Sequence, residues 1–216
     1  MVFATRQDAG RTLGAYLKDL KIQADLVFGL PRGGVVVAAE VASLLHLPLG
    51  VIVVRKIGHP RYREFAVGAL AEPETLILDQ TSIATTGVAS AELEAVIAEE
   101  KQRLKEYRHK FEQDRAPALA DRHLLLADDG LATGASMEAA VLAARKSGVR
   151  QLTVAVPVAS EPAVLRIERV ADRVLACFVD PDFDAVGRYY QQFPQTTDEE
   201  VIQLLNTSRS GRSGAV

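Results

Sequence analysis

The sequence has almost no cysteine, no long apolar run and little net charge. Of 216 residues only Cys177 carries a thiol, which excludes a disulfide framework and a multi-cysteine zinc site. No apolar stretch approaches the ~18 residues needed to span a bilayer. The N-terminal residues 1–8 lack the basic stretch and apolar core of a signal peptide. Glycine and proline, 15 and 9 in number, are too sparse for a collagen-like or disordered chain. The balance of 25 Lys and Arg against 28 Asp and Glu leaves a net charge of −3, and a bulk nucleic-acid binder is usually basic. Neither the Gly-x-x-x-x-Gly-Lys-Ser/Thr phosphate loop nor the Gly-x-Gly-x-x-Gly dinucleotide pattern occurs. At about 150 residues per domain, the expectation is one soluble, cytoplasmic domain over 1–207. A frayed Ser, Arg and Gly tail follows over 208–216. Neither a nucleic acid nor a membrane is the expected partner.

What is present is an alternation of short apolar runs with amphipathic stretches. Thr5 and Asp8 have capping-box spacing ahead of a first helix carrying Ala9, Leu13, Leu17 and Leu20. Residues 26–30 read as a buried strand, 35–45 as a helix and 49–54 as a second strand, a βαβ unit with parallel pairing. Residues 55–63 read as a polar loop. Residues 65–70 and 75–79 read as a hairpin turning at Glu72-Pro73-Glu74. A long charged helix is predicted over 92–115, with Leu93, Ile97, Leu104, Tyr107 and Phe111 near one face. A strand at 123–127 precedes a helix at 136–147, then a strand at 152–156. Ser160 caps a helix to about 170, followed by a strand at 174–179. Thr197 and Glu200 open a short helix to Asn206. Cys177 lies in an apolar run and reads as core. The pattern predicts an α/β fold, Rossmann-like, with a mainly parallel central sheet flanked by helices. Ligands of such sheets bind at the carboxyl ends of the strands, so the loops after the strands carry the function.

The segment 124–136 is the most informative. An apolar strand ends in Asp128 and Asp129, adjacent carboxylates that repel one another and need partners such as hydroxyl donors. Then Thr133, Gly134, Ala135 and Ser136 open a helix, where free N–H groups, the positive end of the helix dipole and two hydroxyls suit a phosphate. An acid pair alone is as readily a strand-end turn. The whole stretch offers acceptors for a diol and donors for a phosphate, and a ribose 5-phosphate has both. After the first strand, Arg32 offers a fork of donors matched to a pyrophosphate, and Gly33 and Gly34 sit where a helix begins. Arg55, Lys56, His59, Arg61 and Arg63 follow the second strand; the alternative there is a solvated basic loop.

Segment 124–136 resembles the phosphoribosyl pyrophosphate motif of the type I phosphoribosyltransferase family. The order of loops along nearly the whole chain resembles one subgroup of bacterial phosphoribosyltransferases. The resemblance implies that Asp128 and Asp129 contact the ribose hydroxyls and that Thr133, Gly134, Ala135 and Ser136 hold the 5′-phosphate. Arg32, Gly33, Gly34, Arg55 and Lys56 fall to pyrophosphate. His59, Arg61 and Arg63 fall in a mobile loop that closes over the site. A small variable hood covers the acceptor, with Phe183 to stack on a base, Val186 for a backbone contact, and Asp180 or Asp182 for metal or base. Magnesium is the implied cofactor, held mostly through ligand and water, and a homodimer the implied assembly. Ala132 stands where hypoxanthine–guanine enzymes carry an Asp, which puts those substrates in doubt without establishing adenine. The reaction so implied passes phosphoribose to a nitrogen acceptor, such as a nucleobase, with release of pyrophosphate. Two rivals remain: a non-catalytic sensor of the same ligand, and a metal-dependent hydrolase of a sugar phosphate or nucleotide.

Overall fold

The computed structural model describes residues 2–63, 65–71, 75–111 and 118–213. In chain order the elements are α1 (Arg6–Asp19), β1 (Leu26–Gly29), α2 (Gly33–Leu45), β2 (Leu49–Val51), β3 (Val54–Gly58), β4 (Ala66–Ala71), β5 (Thr75–Leu78), α3 (Gln80–Thr86), α4 (Ser90–Lys110), β6 (His123–Ala127), α5 (Ala135–Lys146), β7 (Gln151–Ser160), α6 (Glu161–Ile167), β8 (Arg173–Asp180) and α7 (Asp198–Ser213). One 3-10 turn spans Val186–Tyr189.

Five strands form a wholly parallel sheet in the order β2-β1-β6-β7-β8. Both faces are covered, which is why its strands read as unbroken apolar runs rather than alternating ones. Val27 and Leu125 join one core with Leu13, Val41, Leu93 and Leu205 of α1, α2, α4 and α7. Leu26, Phe28, Leu124 and Leu126 join the other with Met137 and Ala140 of α5 and Ile167 of α6. From β1 the chain crosses through α2 to β2 on one side, and from β6 through α5 to β7 on the other. The order therefore reverses between β1 and β6, and a crevice opens there at the strands' carboxyl ends.

A second, antiparallel sheet has the order β3-β4-β5. The predicted hairpin is present as β4 and β5, and its turn at 72–74 lies outside the described residues. The expected strand 49–54 instead ends at Val51, and part of the expected polar loop, Val54–Gly58, is strand β3. A polar run can be a strand when one neighbour pairs it along its length, as β4 does here with Val54 to Gly58. Helix α3 was not anticipated; Asp79 caps it by accepting from the Thr81 and Ser82 amides, each at 3.1 Å.

The capping signals hold at atomic detail. Thr5 Oγ1 accepts from the Asp8 amide at 3.2 Å, and Thr197 and Glu200 reciprocate at 3.2 and 2.7 Å. Helix ends were less legible: α4 stops at Lys110 and α6 at Ile167, short of the expected 115 and 170. Residues 112–117 lie outside the described residues. Helix α7 continues past Asn206 through part of the expected frayed tail. Thr207 and Ser210 there return their hydroxyls to carbonyls one turn back.

Ser160 joins two parts of the fold. Its Oγ accepts from the Ala163 amide at 3.2 Å and donates to the Ala132 carbonyl at 2.6 Å. Ser160→Ala removes a helix cap and a buried loop tie together. It is expected to cost about 1–2 kcal/mol, read as a lower urea midpoint with an unchanged slope.

Candidate active site

Asp128 and Asp129 leave β6 at the crevice, and the loop returns to β7. The Leu131 amide donates to the Val158 carbonyl and the Ser160 amide to the Leu131 carbonyl, both at 2.9 Å. The Asp129 amide donates to Asp128 Oδ1 at 2.9 Å, fixing the first carboxylate against its neighbour. The start of α2 packs directly on this pair. A Cβ on Gly34 would overlap Asp128 Oδ1 and lie 2.9 Å from Asp128 Cα; one on Gly33 would overlap Asp129 Oδ2. Glycine at 34 is therefore required by close approach to backbone of the acid loop, while at 33 a Cβ would meet only the Asp129 and Arg6 side chains.

Arg6 completes the arrangement. Its Nε donates to Asp129 Oδ2 at 2.7 Å, its Nη1 to the Pro194 carbonyl at 2.6 Å, and its guanidinium lies 3.6 Å from the centre of the Phe193 ring. Burial raises the pKa of both carboxyls. Asp129's charge pushes Asp128 further, well above the ordinary carboxylate range, while the Arg6 hydrogen bond opposes the rise at Asp129. The pair is thus asymmetric, with Asp129 the better-held anion. Arg6 was missed by sequence reasoning. One signal was available: a cation in the first turn of a helix opposes the dipole, so a buried anion nearby would account for it. Tyr190 closes the other side by donating its hydroxyl to the Asp129 carbonyl at 2.6 Å.

At the far end of the same loop Gly134 adopts φ +73° and caps α5, a conformation that favours glycine. Thr133 Oγ1 accepts from the Ala135 amide at 3.4 Å. Thr133 and Ser136 are exposed and Ala135 half-buried, at the start of α5, where a helix leaves its first amides without intrahelical partners. Arg166 lies close by, donating to the Thr133 carbonyl at 3.4 Å and to Glu138 at 2.6 Å.

The loop after β1 carries a cis peptide between Pro31 and Arg32. Arg32 lies 3.8 Å from Asp198 Oδ1, and Lys110 of α4 holds the other Asp198 oxygen at 2.6 Å. Asp198 Oδ1 is buried with no hydrogen-bond partner among the described residues. Three of the remaining expected cations turn toward α4 instead. Arg55 meets buried Glu100 at 2.8 Å, Arg63 meets Glu99 at 2.9 Å and Arg61 meets Glu92 at 3.3 Å. Lys56, next to Arg55 on β3, is exposed. His59 is 4% exposed; its Nδ1 accepts from the Arg61 amide at 3.1 Å and its ring packs on Tyr62 and Phe65. It organises the tip of the β3–β4 connection rather than offering a charge to the crevice.

In the expected hood, Val186 sits directly over Gly130, its Cγ1 2.8 Å from where a Cβ would be, and so reaches the acid loop. Phe183 stacks on Tyr189, ring centres 5.1 Å apart. Asp182 is exposed and its amide caps Asp180 Oδ1 at 2.9 Å; Asp180 Oδ2 accepts from the Tyr189 hydroxyl at 2.7 Å. These acids brace the hood turn. Cys177 is half-buried, and desolvation pushes its thiol up to about 11. Among the described residues no cluster of three His, Cys, Asp or Glu is placed to hold a metal ion.

The fold and this loop arrangement define a phosphoribosyl transferase domain. The chain matches the model of that domain over residues 4–191 and belongs to the family. It is similar to a Mycobacterium tuberculosis H37Rv protein named "Putative phosphoribosyl transferase Rv0571c", 40% identical over 207 residues. That match covers 95% of this chain and 46% of the relative, so the chain spans about half the length of the curated relatives it matches. The crystal structure of TT1426 from Thermus thermophilus is 43% identical, with a TM-score of 0.79, covering 95% of this chain and 98% of that one. A purine phosphoribosyltransferase from Pyrococcus horikoshii Ot3 shares the fold at 18% identity, with a TM-score of 0.50 over 89% of this chain and 95% of that one.

Proposed function

We propose that this domain transfers ribose 5-phosphate from phosphoribosyl pyrophosphate to a ring or amine nitrogen, with a nucleobase as the acceptor class, and releases pyrophosphate. The observation that carries the reading is the asymmetric acid pair at the switch point, packed against Gly33 and Gly34 and followed by the start of α5, where Thr133 and Ser136 are exposed. In this reading the C1–oxygen bond to pyrophosphate breaks, a C1–nitrogen bond forms, and the acceptor nitrogen loses its proton. Asp129, hydrogen-bonded by Arg6, accepts from a ribose hydroxyl, and Asp128 engages the other. The amides and hydroxyls at 133–136 hold the 5′-phosphate at the positive end of α5. The arrested sugar then needs only charge stabilisation on the leaving group, for which Arg32 of the loop after β1 is the candidate.

The donor set fits magnesium arriving with the diphosphate, since in this reading the two carboxylates are engaged by ribose hydroxyls and the ligand and water would supply the metal's oxygens. When bound, magnesium would neutralise diphosphate charge. Ala132 leaves no carboxylate at the position used by hypoxanthine–guanine enzymes, which points the acceptor search elsewhere.

The test is pyrophosphate release from phosphoribosyl pyrophosphate with magnesium, screened against purines, pyrimidines and small amines. Release that depends on one acceptor supports transfer. Tight donor binding with no turnover on any acceptor would replace transfer with sensing, and release without any acceptor would point to hydrolysis.

A further inference from the structure

The long charged helix α4 has no role in the transfer reaction as derived above, yet its carboxylates pair with three arginines that the family resemblance assigns to pyrophosphate or a mobile loop. Glu92 and Glu99 are seven residues apart, two turns along one face of the helix, and buried Glu100 lies next to Glu99. Each takes a different arginine from the β3–β4 hairpin: Arg61, Arg63 and Arg55. Arg103 braces two of these acids by meeting Glu99 at 2.6 Å and Glu100 at 2.8 Å. The other end of the helix reaches the loop after β1, where Lys110 and Arg32 both face Asp198. Glu92 and Lys110 are 18 residues apart, about 27 Å along a helix. The hairpin tip is therefore tied far from the Arg32 loop.

The tip carries its own small cluster of rings. His59, Tyr62 and Phe65 pack their rings together, while Tyr62 and Phe65 remain 70% and 47% exposed. The ladder between β3 and β4 shifts register at Ile57/Gly58, just below the tip. A local break in pairing of this kind is where a strand pair bends.

Building on the transfer reading, we propose that Glu92 and Glu99 of α4 are positioning residues that latch the hairpin open. In this scheme the diphosphate of the donor displaces them from Arg61 and Arg63, and the strength of the latch sets donor affinity. Closure of a basic loop is what the family resemblance implies. The further element is the counter-charge that must be exchanged, and exposed pairs of this type are weak enough to exchange readily. Glu100, buried beside Arg55, stays as the fixed root of the hairpin.

The experiment is calorimetric binding of phosphoribosyl pyrophosphate with magnesium to the intact chain, its Glu92→Gln/Glu99→Gln variant and a Glu94→Gln/Glu106→Gln variant. The last carries the same change in net charge on the same helix but touches none of the three arginines. The latch variant is expected to bind about three to ten times more tightly, with its melting temperature within a degree or two of the parent, and the charge control to bind like the parent. Steady-state turnover should show the gain in KM for the donor rather than in kcat. Equal affinity in all three proteins, or weaker binding by the latch variant, would overturn the latch while leaving transfer intact. Failure of the parent protein to bind the donor at all would remove both. Equal tightening in the charge control would reduce the effect to general electrostatics and overturn the latch as well.

Discussion

Asp128→Asn is expected to make the domain more stable at neutral pH while destroying donor binding. Its folded pKa is raised, chiefly by burial and then by the charge of Asp129. A carboxyl with a raised folded pKa binds its proton more tightly in the native state than in the unfolded one. Stability then falls as pH rises from the unfolded value of about 3.9 through the folded pKa, and the full penalty is present above it. Asparagine carries no such penalty, and its side-chain oxygen can still accept from the Asp129 amide as Asp128 Oδ1 does. A gain of about 1 kcal/mol would appear as roughly 2–4 °C in melting temperature for a chain of this size. The gain should shrink as pH falls and vanish below about pH 4, where both versions are neutral. Binding of phosphoribosyl pyrophosphate should meanwhile drop at least a hundredfold, since one ribose acceptor becomes a mixed donor and acceptor. Thermal melts at pH 4 and pH 7 with one calorimetric titration check both halves. A destabilised variant at pH 7 with unchanged affinity would remove Asp128 from the ribose site.

Gly34→Ala carries the largest expected loss. The new methyl would meet Asp128 Oδ1, Asp128 Cα at 2.9 Å and the Ala127 carbonyl at 3.1 Å. Two of those are backbone and cannot rotate away, so either α2 or the end of β6 must shift. Overpacking at such a point costs about 1–3 kcal/mol or more, a fall of roughly 2–12 °C here. Gly33→Ala offers the contrast. Its methyl meets Asp129 Oδ2 and the Arg6 side chain, groups that can swing aside. It should cost less stability than Gly34→Ala while breaking the Arg6–Asp129 bond and weakening donor binding by tenfold or more. A ranking in which Gly33→Ala is the less stable of the two, measured by urea unfolding, would contradict the close packing of α2 on the acid loop.

The architecture was legible in the sequence because apolar runs, caps and spacing all act locally. The strands of the parallel sheet, the Thr5 and Thr197 caps and the strand-end placement of Asp128 needed no tertiary information. What was hidden depended on partners distant in the chain. Strand β3 looks like a loop until β4 is placed beside it. His59 reads as a mobile-loop base, yet aromatic neighbours bury it. Arg55 and Lys56 read as an equivalent pair, yet Arg55 is drawn onto Glu100 of α4. The cationic character of 55–63 was visible and its direction was not, because direction was set by carboxylates 30 or more positions away. Arg6 was invisible for the same reason, its two acceptors lying 123 and 188 positions along the chain.

That separation has a kinetic meaning. The Phe3 amide donates to the Tyr189 carbonyl, and the Gln191 amide donates back to the Phe3 carbonyl, both at 2.8 Å. The roof over Asp129 is therefore a seam between the two far portions of the described chain. Closing so long a loop delays the contacts that reward it. The sheet and its helices can assemble before the seam is sewn, and the seam's Phe3, Tyr189 and Tyr190 pack in a small cluster apart from the two cores on the sheet faces. Amides at residues 3–6 and 189–192 should exchange with solvent earlier than those of β6 and β7, and a bound donor resting on Asp129 should slow them selectively. The binding site would then be the last region of the molecule to fold and the first to open, with ligand occupancy as its final tertiary contact.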